Sequence, residues 1–329
     1  MEFWDIYESE VAKAPERLET GAAHGRNDDI HDHAGDWSDV KEESSTWRFV
    51  RCQGPGMTTT QTHIDVVIQE TRGDGVFDAV GGELWEASLL LCADMVINPT
   101  NAYEGSSVLE FGAGVGLPSL FLAKMNAVLA NKGGPSSVCI TDFDYRCLSN
   151  LASVVPLIDD GAICLKEDDV DTSVTVSVER FDWFHPETFQ LNDRFDVAFG
   201  CALVYNNDHA CLADICRDLL SNGRCKRIII IQIKDRPGLT RFLTRVDGLG
   251  LCCAVEPVSL EVYKHAQRIS SETLAFNEAE CCHQKLFRVP LEPRNPLETE
   301  EIVSADPTSR LCSLIVTDAA LFVRIVIEL

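Results

Sequence analysis

Residues 108–116 read Val108-Leu109-Glu110-Phe111-Gly112-Ala113-Gly114-Val115-Gly116, an apolar run that breaks into three alternating glycines. Side chains at the glycine positions would obstruct both a tight backbone turn and the close approach of a ligand. The run itself has the length and composition of a strand, and the apolar pattern from Leu117 to Leu129 is helical, so the stretch is a strand, a glycine turn and the start of a helix. Working outward, Glu83 to Ala93 carries apolar residues at helical spacing, preceded by Gly81-Gly82 and closed by Asn98-Pro99. Val138-Cys139-Ile140-Thr141, Val174–Val178, Val197-Ala198-Phe199 and Ile228–Ile231 read as strands, with helices between them from about Tyr145 and about His209. Alternation of strand and helix means an α/β fold, a Rossmann-like, doubly wound and mostly parallel sheet. The unbroken isoleucine run suits a strand buried on both faces.

The glycine spacing narrows the ligand. A dinucleotide fingerprint, G-x-G-x-x-G, needs its third glycine at position 117, which is Leu117, so an NAD-dependent oxidoreductase is disfavoured. The pattern G-x-G-x-G, with Glu110 two residues before the first glycine, is that of S-adenosylmethionine sites, where no pyrophosphate has to be cradled. The second strand ends in Thr141-Asp142-Phe143-Asp144, where a carboxylate can accept two hydrogen bonds from a ribose diol. A helix N-cap by Asp142 or Asp144 is the competing structural role.

Composition sets the partners. The 329 residues hold 28 Lys+Arg against 52 Asp+Glu, a net charge of -24, so a phosphate backbone is repelled by the average surface and nucleic acid is not expected as a partner. The 14 cysteines form no C-x-x-C pair, and Cys92, Cys139 and Cys201 lie in apolar runs, as buried free thiols do. Cys252-Cys253 and Cys281-Cys282-His283 offer metal-ligand types, but adjacent cysteines are poorly spaced for one tetrahedral ion, so no metal is expected. Acids crowd the first ten residues and no run of about 18 apolar residues occurs, so neither a signal peptide nor a membrane span is expected. The reading is an intracellular protein of a reducing compartment, cytoplasm first and nucleus second.

Three regions are expected. Residues 1–47 read as an acidic flexible tail, since residues 1–50 carry 13 acidic against 5 basic side chains; residues 48–80 read as a small β element, with strands at Phe49–Cys52 and His63–Ile68. Residues 81–329 form the main domain, ending in strands at Leu251–Val255 and Leu321–Ile327, with a polar insertion at about 264–310.

Five motifs now stand in order: Leu84-Trp85-Glu86-Ala87-Ser88, Leu109–Leu117, Ile140-Thr141-Asp142, Phe181-Asp182-Trp183 and Phe195–Tyr205. In that order they resemble the seven-β-strand protein lysine methyltransferases, methyltransferase family 16. The resemblance implies a seven-stranded class I methyltransferase fold, S-adenosylmethionine as cofactor, and a lysine of a protein substrate, one with a basic segment, as acceptor. It implies that Trp85 borders the cofactor pocket, that Glu110, Gly112, Ala113, Gly114 and Gly116 form the turn against the methionine part, and that Asp142 holds the ribose. Asp182 and Trp183 flank the adenine and Cys201 lines the wall. Relatives in this family carry Asp/Glu-x-x-Tyr at the end of the fourth strand, where this chain has Ala202 and Tyr205. Tyr205 then orients the acceptor amine, and Asp208 from the following loop supplies the carboxylate. Ala202 leaves open a binding protein that kept the fold without catalysis, and a small-molecule methyltransferase stands as a further alternative.

Overall fold

Four consecutive isoleucines, Ile228–Ile231, show how the sheet is held: Ile228 and Ile230 enter one apolar cluster, Ile229 and Ile231 the other. Successive side chains of a strand point to opposite faces, so a strand covered on both sides needs no polar alternation. In the computed structural model, residues 44–53, 63–72, 80–98, 103–128, 134–156, 158, 174–186, 194–281 and 321–329 are described. The chain divides into two units, Met1–Glu43 and Ser44–Leu329, and every described residue lies in the second. Most of the expected acidic tail therefore lies outside the described residues, and its expected boundary at 47 falls inside a strand that begins at Ser44.

The strands are β1 (Ser44–Gln53), β2 (His63–Arg72), β3 (Ser107–Phe111), β4 (Ser137–Asp142), β5 (Thr175–Arg180), β6 (Val197–Cys201), β7 (Arg227–Ile233), β8 (Cys252–Pro257) and β9 (Phe322–Glu328). Seven of them form one sheet in the order β5-β4-β3-β6-β7-β9-β8. All its pairings are parallel except those of β9, which runs antiparallel to β7 and β8. The helices are α1 (Glu86–Ile97), α2 (Leu117–Val128), α3 (Tyr145–Val154), α4 (Leu212–Ser221), α5 (Pro237–Gly248) and α6 (Leu260–Cys281). Side chains of α1, α2, α3 and α6 share one core cluster, and those of α4 and α5 the other. The chain steps outward from β3 through β4 to β5, then returns across to β6, so the order reverses between β3 and β6. Ligands of open α/β sheets bind beyond the carboxyl ends of the strands at this reversal.

The N-terminal strands pair as an antiparallel hairpin with Val50 opposite Val66 and Cys52 opposite Ile64. Those four and Ile68 are at most 2% exposed and join the cluster of α1, α2, α3 and α6. On the outer face, Arg51 forms a bidentate pair with Asp65 at 2.7 and 2.8 Å. The inward face ends in Glu70, whose buried Oε1 accepts the Leu84 amide at 2.9 Å, so the hairpin is anchored to the segment that leads into α1.

Two helices depart from the sequence reading. Residues 264–281, expected within a polar insertion, are the body of α6, a helix of 22 residues. His265, Ser270 and Thr273 are buried in it beside Val262, Ala266 and Ile269, which blurs the apolar stripe by which a helix is recognised. The remainder of that insertion, 282–310, lies outside the described residues. Helix α5, a stretch to which the sequence reading assigns no element, has a proline in its first turn and buries Leu239, Phe242 and Val246 at spacings of three and four. Among the described residues no helix is long and apolar enough to cross a membrane.

Glu70→Ala strands a buried backbone donor, and is expected to cost about 1–3 kcal/mol in urea unfolding. Glu70→Gln keeps an acceptor oxygen and is expected to lose less than half of that.

Candidate cofactor and acceptor site

The glycine turn lies where the strand order reverses. Gly112, Gly114 and Gly116 have φ of +53°, +56° and +69°, left-handed values that side chains oppose by about 1–2 kcal/mol per residue. The turn is tied to β4 three times: the Ala113 amide donates to Thr141 O at 2.9 Å, the Thr141 hydroxyl to Glu110 O at 2.6 Å, and the Gly114 amide to Asp142 Oδ2 at 2.9 Å. The other oxygen of Asp142 accepts the Asp144 amide at 2.9 Å. Asp144, with its Oδ1 accepting the Arg146 amide, is the N-cap of α3. Asp142 is therefore released from capping, with its carboxylate held beside the turn. Burial raises its pKa, against the pull of the Asp144 and Gly114 amides.

The space around the turn is closely shaped. A β-carbon on Gly112 would stand 3.0 Å from Leu203 Cδ2 and 3.2 Å from Trp183 Cζ2; on Gly114 it would stand 2.7 Å from Gly81 O. The turn thus runs between the segment Val80–Gly82, a short 3-10 helix, and the side chains of Leu203 and Trp183. Trp85, at the N-cap of α1, is half-buried. One turn on, Ser88 Oγ lies 3.3 Å from Cys201 Sγ at the end of β6.

Glu110 is fully buried, and neither of its oxygens nor Ser119 Oγ has a well-formed hydrogen-bond partner among the described residues. Burial pushes its pKa up to about 8, opposed by the nearby Ser119 hydroxyl and amide. Burial and the Glu110 charge push the Cys201 thiol up to about 12, so it stays neutral. Asp182 accepts the Phe184 amide at 3.0 Å, which turns the chain after β5 so that Trp183 reaches Gly112. Tyr205 is half-buried, and burial, then the Asp142 charge, raises its hydroxyl pKa. Ala202 has φ +52°, the one positive value outside glycine among the described residues.

Glu110, Gly112, Ala113, Gly114, Gly116, Asp142, Asp182, Trp183, Cys201 and Tyr205 therefore sit at the carboxyl ends of β3, β4, β5 and β6. Asp208 stands apart: it is exposed, and its amide donates to Asn206 Oδ1 at 3.0 Å. Sequence reasoning missed Gly81, His209 and Gln232. The Gly81-Gly82 doublet before Trp85 and the lone amide of Gln232 in an isoleucine run were signals for two of them; no local pattern marks His209. The residues fit S-adenosylmethionine by the chemistry of their groups: a glycine turn bare of side chains, a carboxylate beside it for a diol, and behind it a buried carboxyl group without a well-formed partner among the described residues.

A family model described as lysine methyltransferase matches residues 61–248, more than half of the chain. Methyltransferase-like protein 22 of Mus musculus is 30% identical over 151 residues, 44% of this chain and 36% of its own length. The Homo sapiens protein of the same name is 28% identical over 152 residues, 44% of this chain and 35% of its own. The chain matches about a third of the length of these curated relatives. Among solved structures, a T. thermophilus 16S rRNA methyltransferase in complex with AdoMet and guanosine aligns with a TM-score of 0.40 and 16% identity, over 65% of this chain and 48% of its own. A dimethyladenosine transferase from Plasmodium falciparum aligns at 0.31 and 16%, over 50% and 52%.

Gly116→Ala sets a β-carbon 2.3 Å from Leu151 Cδ2 in a left-handed backbone, and is expected to lose about 2–4 kcal/mol in denaturant unfolding. Glu110 yields a pH signature. Its folded pKa is raised, so the stability it contributes is full below its ordinary value of 4.5 and is lost as pH climbs toward about 8. Glu110→Gln is expected to match the parent in melting temperature at the acid end of that window and to exceed it at the alkaline end.

Proposed function

Because the chain belongs to the lysine methyltransferase family, we propose that it transfers a methyl group from S-adenosylmethionine to a lysine side chain of a protein substrate. One observation supports this above the others: the Gly112–Gly116 turn stands at the reversal of strand order with the Asp142 carboxylate bonded to its Gly114 amide. When bound, the cofactor supplies a methyl group on a sulfonium, open to in-line displacement by a nitrogen lone pair.

The chain's own residues then bind, orient and exclude water. The backbone at Gly112, Ala113 and Gly114 gives the methionine part room, with Glu110 and Gly116 fixing the ends of the turn. Asp142 accepts from the ribose hydroxyls with the lone pairs left by its two amide partners. Asp182 sets Trp183 against the adenine, Cys201 closes the wall as a neutral thiol, and Trp85 borders the pocket. On the acceptor side, a lysine amine is mostly charged at neutral pH and must shed a proton before it attacks. The half-buried surround of Tyr205 disfavours the ammonium, and the Tyr205 hydroxyl orients the amine. The exposed Asp208 and the net charge of -24 draw in a basic substrate segment. Alignment of donor and acceptor supplies most of the rate.

Ala202 favours a second reading, a cofactor-binding protein without methyl transfer, since relatives resembled by this chain carry an acid there. The discriminating experiment supplies labelled S-adenosylmethionine, purified protein and extract from cells lacking it, then identifies the labelled amino acid after hydrolysis. Methyl-lysine that falls at least about 100-fold in Asp142→Ala is expected. Cofactor binding without label supports the second reading, and label confined to small molecules supports a small-molecule methyltransferase. Asp and Asn tolerate left-handed backbone better than Ala, so Ala202→Asp is expected to fold as well as the parent and to raise methyl-lysine formation in the same assay.

A further inference from the structure

The segment that leaves β6 is held far more firmly than a surface loop requires. Ala202 is in the left-handed region, a strained conformation that persists only where the surroundings over-determine it. Its amide donates to Ile231 O at 2.9 Å. Two residues on, the fully buried Gln232 of β7 grips Val204 from both sides: its Oε1 accepts the Val204 amide and its Nε2 donates to Val204 O, each at 3.0 Å. The N-terminus of α5 presses on the same segment, for a β-carbon on Gly238 would stand 1.9 Å from Asn206 O. Tyr205 lies between these two holds.

The third hold is His209. Its buried imidazole has Nδ1 2.7 Å from Leu203 O and Nε2 3.2 Å from Asn206 Nδ2. A carbonyl oxygen only accepts, so Nδ1 carries the proton. Asn206 Oδ1 is taken by the amides of Asp208 and His209, so Asn206 presents its NH2, and Nε2 accepts. With both nitrogens engaged the ring cannot turn. Three aromatic rings meet it edge to face: Tyr205 at 4.1 Å and 78°, Trp183 at 5.8 Å and 89°, and Phe184 at 6.1 Å and 61°. Of these Tyr205 is much the nearest.

We infer that His209 is a positioning residue: its imidazole, locked by Leu203 and Asn206, sets the ring of Tyr205 and through it the place of the acceptor amine. This rests on the proposed methyltransferase reading for its consequence, though not for its geometry. It also assigns what His209 does not do. Both ring nitrogens are engaged within the chain, so His209 acts through Tyr205 and not by touching the substrate.

Two measurements test it. In protein labelled with nitrogen-15 histidine, the His209 resonances, identified by their loss in His209→Leu, are expected to show Nδ1 protonated and Nε2 bare, and the Tyr205 ring resonances, identified by their loss in Tyr205→Phe, are expected to move in His209→Leu. The opposite tautomer, or an unmoved Tyr205, overturns the inference. With labelled S-adenosylmethionine and the extract described above, His209→Leu is expected to lower methyl-lysine formation at saturating cofactor about tenfold, to leave cofactor affinity by calorimetry within about twofold, and to cause no further loss in a Tyr205→Ala background. Additive losses, or a tenfold loss of cofactor affinity, place His209 behind Trp183 instead and overturn it. Should the spectra hold while the parent transfers no methyl group, the methyltransferase reading fails and the setting of Tyr205 stands.

Discussion

The hydrogen bond from the Gly114 amide to Asp142 Oδ2, 2.9 Å long and buried, joins the two halves of the site. One partner is the turn after β3, the other the last residue of β4, and the bond holds a left-handed glycine backbone against a buried carboxylate. A buried carboxylate keeps its charge only where donors face it, and the Gly114 and Asp144 amides are such donors. The turn is thereby held in one place, and Asp144, not Asp142, caps α3.

The remaining structure keeps that bond in place. Parallel pairing of β3 with β4 sets the turn and the carboxylate side by side, and the isoleucines of β7 fix the middle of the sheet from both faces. Above the turn, Gly81 lies against Gly114, and the segment that carries Gly81 is tied to the hairpin through Glu70 and Leu84. The N-terminal hairpin, none of whose described residues lies at the turn, thus supports the segment that packs against it. Across from the turn, the segment from Ala202 to His209 is strained at one end and clamped along its length.

Much of this was legible in the sequence, for reasons that differ by residue. The glycine turn could be read because left-handed backbone and close approach leave a mark no other residue type makes, and β7 because a strand buried on both faces is apolar throughout. At Asp142 the sequence marked the place and offered two roles, ribose partner or helix cap; Asp142 and Asp144 are equally good caps by type, and only the bonds show that Asp144 is the cap. Helix α6 was hidden because His265, Ser270 and Thr273 are buried on the face that should be apolar. His209 was hidden for a further reason: its partners are a backbone carbonyl, an asparagine amide and three rings gathered from two loops, and no spacing along the chain foretells that convergence.

The central claim is that the turn and Asp142 form an S-adenosylmethionine site, and calorimetric titration of the whole chain with S-adenosylhomocysteine tests it most directly. The account predicts saturable binding at one site per chain that is lost in Asp142→Ala while the variant still melts cooperatively. Absence of binding to the folded parent, or equal binding by the variant, would contradict it.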